Sequence, residues 1–422
     1  MIMDNYLVRY IESTISKKMK SSGVVLVEGP KFCGKTTTSA LFAKSEIRLN
    51  TKTAIQIARI EPFNVLLGER PRLIDEWQTV PDLWNQAKAW IDENPGFGQF
   101  IFTGSSTPVD NSDIFHSGAG RITRVMMRPM SLFESQDSKG SVSLSSLFNN
   151  ENPVVFDMNE GYGLSDTAFL LCRGGWPLSI QPEREVALDV TANYYESLFN
   201  LGNSENPKFR NKNPEILKLV MRAYARHISS QTSTTKILAD ISARDSRTIS
   251  SKTFEEYADI LTDLFIIEDM EAWNPNLRSK TVVRSTPTHH FVDSSIAAQA
   301  LGASPADLMS DLNTFGLLFE DMAVRDLRVY AQTINGNVLH YRDSRGLECD
   351  TIVHLKDGRW APIEIKLGGD NLIEEGARNL MRLKSDIAEK NQPSFMMILT
   401  ATGPAYRRQD GIYVVPINCL KA

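Results

Sequence analysis

Cysteine is scarce in this chain of 422 residues: Cys33, Cys172, Cys349 and Cys419 stand far apart, and none forms a CxxC pair. That excludes a disulfide-stapled scaffold and a zinc knuckle, and it suits a reducing cytoplasm, the expected location. A basic excess is also missing. Lysine and arginine number 46 against 51 acidic residues, a net charge of −5. A generic nucleic-acid coat is not built that way, although a local basic surface remains compatible with it. No uninterrupted apolar run reaches membrane length, so no membrane association is expected, and the N-terminus shows no secretory signal. There is no internal repeat and no low-complexity tract. What remains is a globular composition, 42% hydrophobic and 23% charged, in a chain too long for one core.

The most specific feature is an apolar run, Val24 to Val27, that ends at Gly29 and continues Pro30-Lys31-Phe32-Cys33-Gly34-Lys35-Thr36-Thr37 into a helix-compatible stretch through Ala43. Strand, glycine-bounded loop and helix in that order are what a phosphate-binding P-loop needs. Its glycines let backbone N–H groups turn inward onto phosphate oxygens. Lys35 is expected to neutralise the β- and γ-phosphates and Thr36 to hold Mg²⁺, with Gly29 to Thr37 forming the nucleotide cradle. Cys33 reads as a small filler within it.

Hydrolysis needs acids as well. Arg72-Leu73-Ile74-Asp75-Glu76 is a short strand ending in two of them. Asp75 is expected to bind Mg²⁺ through water and Glu76 to polarise the attacking water. The spacing from Lys35 suggests that this strand lies next to the P-loop strand. Gln99 to Ser106 is a further strand closed by Thr103, Ser105 and Ser106. Ser105 is a candidate γ-phosphate sensor, and a plain hydroxyl-rich strand end is the alternative. Arg121, Arg124 and Arg128 alternate with apolar residues from Ile122 to Met127. Arg121 is the candidate for an arginine finger acting on a neighbouring copy, weighed equally with a solvated basic strand face.

Met1 to Lys20 reads as an amphipathic helix, Pro81 to Asp92 as another, and Lys139 to Asn152 as a loose loop. Strands alternating with helices through residue 140 imply a parallel, helix-covered α/β sheet. Helices follow at Leu164–Cys172, Glu185–Leu201, Glu215–Ile228, Thr235–Ile241 and Ser250–Phe265, and Ile266-Ile267-Glu268 begins a β segment. Three helices and a short β pair outline a winged-helix unit, with Lys236, Arg244, Arg247 and Lys252 as its basic residues. Strands and helices alternate again from about His290. The expected domains are therefore 1–140, a P-loop core; 141–285, a helical lid and winged-helix region; and 286–422, a C-terminal α/β domain.

In that last part Asp350 precedes Glu364-Ile365-Lys366 across an apparent β-hairpin, with Glu320 on an upstream helix. An acid followed by acid-x-Lys on the next strand is the pattern of the PD-(D/E)xK nuclease core, and period-two geometry puts Glu364 and Lys366 on one face. Asp350, Glu364 and Glu320 are then candidate ligands for a divalent metal and Lys366 the group that orients water. The alternative is a retained scaffold that docks partners.

Gly29-x4-Gly-Lys-Thr, Leu73-Ile74-Asp75-Glu76-Trp77-Gln78, Thr103-Gly104-Ser105-Ser106, His116-Ser117-Gly118-Ala119-Gly120-Arg121, Met127 to Glu134, Gly174-Gly175-Trp176-Pro177, Phe291-Val292-Asp293, Gly316 to Glu320 and Glu364-Ile365-Lys366 occur in that order. Together they resemble the prokaryotic AAA+-type ATPases whose C-terminal half is a domain of unknown function. The resemblance spans nearly the whole chain and implies ATP and Mg²⁺ as ligands. The expected function is Mg-ATP hydrolysis coupled to movement of a winged-helix and nuclease-like C-terminal half, with DNA and a second copy of the chain as candidate partners. Two rivals stand beside it: a nucleotide-switched DNA-binding regulator with little turnover, and an ATP-gated, metal-dependent nuclease.

Overall fold

The computed structural model of the protein describes residues 6–106, 118–149, 156–200, 212–245, 247–275 and 286–422. His116 and most of the expected linker after residue 201 lie outside them. The first sheet has five parallel strands: β1 (Val24–Glu28), β2 (Ser45–Arg48), β3 (Arg72–Asp75), β4 (Phe100–Gly104) and β5 (Ile122–Met126), in spatial order β2-β3-β4-β1-β5. Parallel strands are covered on both faces, which explains why Val24 to Val27 are all buried. Val25 and Val27 face a core shared with Ile15, Leu73 and Ile101. Val24 and Leu26 face a second core with Ile74, Phe102, Trp77 and Trp84. The expected adjacency of the acid-tipped strand and the P-loop strand is corrected here. The wholly buried β4 pairs with both β3 and β1 and separates them.

The N-terminal helix is shorter than the pattern suggests, Ile11–Met19. The serine-rich stretch after Lys139 is not a loop throughout. Val142–Ser143 forms a short strand, β6, and Leu144–Asn149 a helix that buries Leu144, Leu147 and Phe148. Those apolar residues at spacings of three and four outweigh the serines around them.

The middle is helical: Leu164–Arg173, Arg184–Ser197, Pro214–Arg226, Thr234–Arg244 and Ser251–Asp263. After the last helix, Ile267 pairs with Phe291 and Met270 with Thr288, both antiparallel.

The C-terminal sheet contains β7 (Phe156–Asp157), β8 (Gly336–Arg342), β9 (Glu348–Leu355), β10 (Trp360–Lys366), β11 (Met397–Thr400), β12 (Ala405–Arg407) and β13 (Tyr413–Pro416), in spatial order β7-β12-β13-β11-β10-β9-β8. The buried helix Leu312–Thr333 covers one face and Asp370–Asp386 the other. The last strand, β14 (Leu420–Lys421), pairs with β6. Residues 142–143 and 156–157 thus join C-terminal strands, although the sequence assigns them to the middle region. The whole is a mixed α/β chain: a P-loop-type parallel sheet, a helical region and a C-terminal sheet domain.

Candidate functional site

The P-loop closes the end of β1. Gly29 and Gly34 have φ values of 153° and 101°, and a Cβ on Gly29 would stand 2.1 Å from the Met127 carbonyl oxygen. Only glycine fits both positions. The helix Lys35–Ala40 starts at Gly34. Lys35 points into the loop: its Nζ donates to the carbonyls of Gly29 at 2.9 Å and Pro30 at 2.7 Å. Cys33 is buried, and its Sγ lies 3.4 Å from the Met127 carbonyl, as expected of a filler. Lys31, Phe32 and Thr37 are exposed on the outer rim.

Asp75 ends β3 and is buried. The Thr36 hydroxyl donates to its Oδ1 at 2.7 Å, and the Thr103 hydroxyl, from β4, donates to the same oxygen. Glu76 follows in the left-handed region at φ 60°, a strained conformation of the kind found at functional sites. Its Oε2 accepts from Ser105 Oγ at 2.8 Å and from Gln78 Nε2, while its N–H reaches Thr103 Oγ1 at 3.3 Å. Thr36, Asp75, Glu76, Thr103 and Ser105 are therefore brought together beside the P-loop. The interposed β4 makes this possible, because Thr103 lies in register with Asp75 on one side and Val27 on the other. Oxygen donors such as Thr36 and Asp75 suit a hard cation like Mg²⁺.

Arg121 is not brought to this site. It precedes Ile122, which pairs with Val24 at the start of β1, so it sits at the end of the sheet opposite the P-loop, with its Nε 2.7 Å from Asp92. A side chain placed by the N-terminal end of a parallel strand cannot reach the phosphate loop of its own chain; the expected finger role was on a neighbouring copy, which this placement does not test.

Two other arginines do border the loop: Arg9, which sequence reasoning missed, and Arg128, which it named beside Arg121. Arg9 is buried and donates to the carbonyls of Cys33 at 2.8 Å and Arg128 at 2.7 Å, beside Glu134 at 3.2 Å. Arg128 forks onto Glu268 of the middle region, with Nε at 2.8 Å and Nη2 at 2.5 Å. Burial would raise the Glu268 carboxyl, yet Arg128 and Arg328 pull it down to about 2. The middle region also leans on the loop through Tyr194, whose ring meets that of Phe32 edge-on at 5.5 Å.

Behind these contacts lies a buried ionic knot. Arg325 binds Asp293 at 2.8 Å and Asp326 at 2.7 Å. Asp293 also accepts from the Gly175 N–H and Asp326 from the Leu132 N–H, each at 2.9 Å. The segments Met127–Glu134, Gly174–Pro177 and Phe291–Asp293 therefore converge here. Their only sequence signal was their place among the motifs of the resemblance.

In the C-terminal domain Asp350, Glu364 and Lys366 do meet. Lys366 Nζ is 3.2 Å from Asp350 and 2.9 Å from Glu364, and Asp350 also accepts from the Ile365 N–H at 2.8 Å. Burial, then the Asp350 charge, push Glu364 up to about 8. The same two causes push Glu320 well above the carboxylate range. Burial disfavours charge on Lys366, but Asp350 and Glu364 more than offset it and hold its pKa above the usual value. The expected metal trio is not assembled. Among the described residues no three His, Cys, Asp or Glu side chains are grouped to hold a metal ion. The Lys366 ammonium takes the space between Asp350 and Glu364, so as they stand these residues do not fit the metal of a nuclease.

The basic residues of the expected winged-helix unit, Lys236, Arg244, Arg247 and Lys252, are all exposed. Arg244 pairs with Asp240 at 2.8 Å, and the exposed face of Ser251–Asp263 presents Glu255, Glu256 and Asp259 beside Lys252. Glu256 is paired with Lys212 at 2.8 Å, so the face carries mixed charge.

Residues 21–136 match an AAA domain. The site just described is thus carried by a region similar to P-loop ATPases of the AAA type. Residues 164–307 and 315–420 match two domains of unknown function, DUF8612 and DUF4143. Similar curated proteins include the uncharacterized proteins Rv2008c of Mycobacterium tuberculosis and Mb2031c of Mycobacterium bovis. Each is 24% identical over 375 residues, 87% of this chain and 75% of theirs. Among solved structures, that of the Aeropyrum pernix ORC1 protein in complex with DNA aligns with 71% of this chain and 95% of its own at 14% identity and a TM-score of 0.23, too loose to transfer a ligand. Among the described residues no helix is long and apolar enough to cross a membrane.

Proposed function

We infer that the chain binds Mg-ATP in the loop Gly29–Thr37 and hydrolyses it, and that this drives movement of the helical region and the C-terminal domain against the P-loop core. The observation that carries this reading is the meeting of Thr36, Thr103 and Asp75 on one carboxylate oxygen, with Glu76 alongside. On triphosphate entry Lys35 leaves the Gly29 and Pro30 carbonyls and its ammonium takes the β- and γ-phosphates. Thr36 and Asp75 would hold Mg²⁺, which would supply charge neutralisation to the triphosphate. Glu76 accepts the proton of the attacking water, and Ser105, now bonded to Glu76, is placed to report on the γ-phosphate.

Coupling is supported by the contacts at the loop itself. Phe32 touches Tyr194, and Arg128 grips Glu268, so a loop that reshapes around phosphate pulls on both. The domains behave as 1–140, 141–285 and 286–422 in this reading, apart from the short strands that join the C-terminal sheets. The closed Lys366 cluster favours an ATPase with a non-cleaving C-terminal domain over a metal-dependent nuclease. A cytoplasmic setting suits the four unpaired thiols.

The deciding experiment is a titration of the full chain with ATP and GTP in Mg²⁺, with Lys35→Ala as control. Saturable ATP binding that Lys35→Ala abolishes is expected. Equal weak binding by both proteins overturns the reading.

A further inference from the structure

Gln78 lies two residues beyond Glu76, in the short turn Trp77–Thr79. The turn is pinned on both sides. Trp77 is buried and packs its ring against those of Trp84 and Phe102, with centroids 5.1 and 6.0 Å away. The Thr79 N–H and hydroxyl both donate to the Glu76 carbonyl, at 3.1 and 2.9 Å. From this fixed backbone the Gln78 side chain turns back onto Glu76. Its Nε2 donates to Glu76 Oε2, the same oxygen that takes the Ser105 hydroxyl at 2.8 Å, and stands 3.5 Å from Ser105 Oγ. Among the described residues, both side-chain donors meet on that oxygen and leave Oε1 clear.

We propose that Gln78 is the positioning residue of the hydrolytic step: its amide holds the Glu76 carboxylate so that Oε1 faces the attacking water. This rests on Glu76 as the group that accepts the water's proton, and adds the residue that aims it.

The state of the amide supports this. An ionised carboxylate only accepts hydrogen bonds, so Gln78 must present Nε2 to it and turn its own oxygen away. That oxygen is buried with no partner among the described residues. A buried acceptor left unmatched costs free energy, and in a native fold it calls for a reason. Here the reason is the bond to Glu76, which dictates how the amide lies. Gly104 makes room for it: a Cβ there would stand 3.1 Å from Gln78 Oε1 and 3.1 Å from Trp77 Nε1. The Gly104 carbonyl in turn accepts the Gly29 N–H at 3.3 Å, so the amide rests on the strand end that touches the phosphate loop. Ser105 cannot do this alone. When its hydroxyl turns to the γ-phosphate it leaves Glu76, and Gln78 is the donor that still fixes a long, rotatable side chain. A general base must stay within hydrogen-bond reach of its water, and a misplacement of about 1 Å costs on the order of 10²-fold.

The test is Gln78→Met in the full chain, alone and combined with Glu76→Gln. Methionine keeps the length and the packing over Gly104 but loses the amide. Steady-state phosphate release gives kcat and KM, and an ATP titration of the same samples reports whether the loop is intact. The expected result is a kcat at least about tenfold lower, with KM and ATP affinity within about threefold of wild type. In the Glu76→Gln background the same change should lower the residual rate by less than about twofold, because a residue that acts through Glu76 has nothing left to aim. Three results overturn the proposal. A Gln78→Met kcat within about threefold of wild type reduces the side chain to filling space. A loss as large in the Glu76→Gln background as in wild type makes its action independent of Glu76. Lost ATP binding in Gln78→Met assigns it to the fold of the loop. Undiminished turnover in Glu76→Gln alone overturns the base assignment as well, whereas a loss there with none in Gln78→Met overturns only the role of Gln78.

Discussion

Glu76→Gln isolates the chemical step from everything else the P-loop does. The glutamate side chain accepts hydrogen bonds from Ser105 and Gln78. Glutamine has the same shape and keeps an acceptor oxygen, so the fold of β3 and the unusual backbone of residue 76 are retained. Nothing in the substitution touches Lys35, Thr36 or Asp75, so ATP affinity should stay within about threefold. What disappears is the group that takes the proton from water. General-base removal costs about 10²–10⁴-fold in rate, or ~2.7–5.4 kcal/mol of barrier. The assay is steady-state phosphate release under saturating Mg-ATP, paired with a nucleotide-binding titration on the same preparation. Lost turnover with retained binding is the expected pair. Turnover within threefold of wild type refutes Glu76 as the base and moves the chain towards a nucleotide switch.

Lys35→Ala should weaken ATP binding more than tenfold, since its ammonium is the cation buried inside the loop; an unchanged affinity in the titration would contradict the phosphate assignment. Arg325→Ala should destabilise the chain by about 3–5 kcal/mol, because it strands the buried carboxylates of Asp293 and Asp326. Differential scanning fluorimetry would show that as a drop of roughly 6–15 °C, and a shift within 1 °C would contradict it. Glu364 supplies a pH test. Its folded pKa near 8 lies above its unfolded value, so the folded state holds an extra proton in between. The stability this contributes is complete below about pH 4.5 and is lost as pH rises through 8, by at most ~1.4 kcal/mol per unit. The melting temperature of wild type should therefore fall relative to Glu364→Gln between pH 6 and 9, and parallel curves would contradict it.

The ATPase site was legible because its chemistry is local. Gly29, Gly34, Lys35 and Thr36 lie in one loop whose backbone demands appear directly in the residue types. Asp75 and Glu76 were readable as the end of an apolar strand. The order of the strands was not readable, because β4 lies next to β1 through contacts that spacing does not encode. Which end of the sheet Arg121 occupies was unreadable for the same reason: alternation with apolar residues locates a strand face and no more. The acid cluster was half legible. Period two put Glu364 and Lys366 on one face, but where the ammonium rests depends on a neighbouring strand.

By itself the sequence determined what short-range geometry enforces: a glycine-hinged phosphate loop, alternating strands and helices, and an acid-x-Lys strand. Tertiary structure alone decided which distant pieces meet. The Leu132 N–H finds the Asp326 carboxylate 194 positions away, and the Gly175 N–H finds Asp293 118 positions away. Such pairings follow from the need of every buried charge and amide for a partner, wherever in the chain it is found. That requirement leaves no periodic trace in the residues themselves.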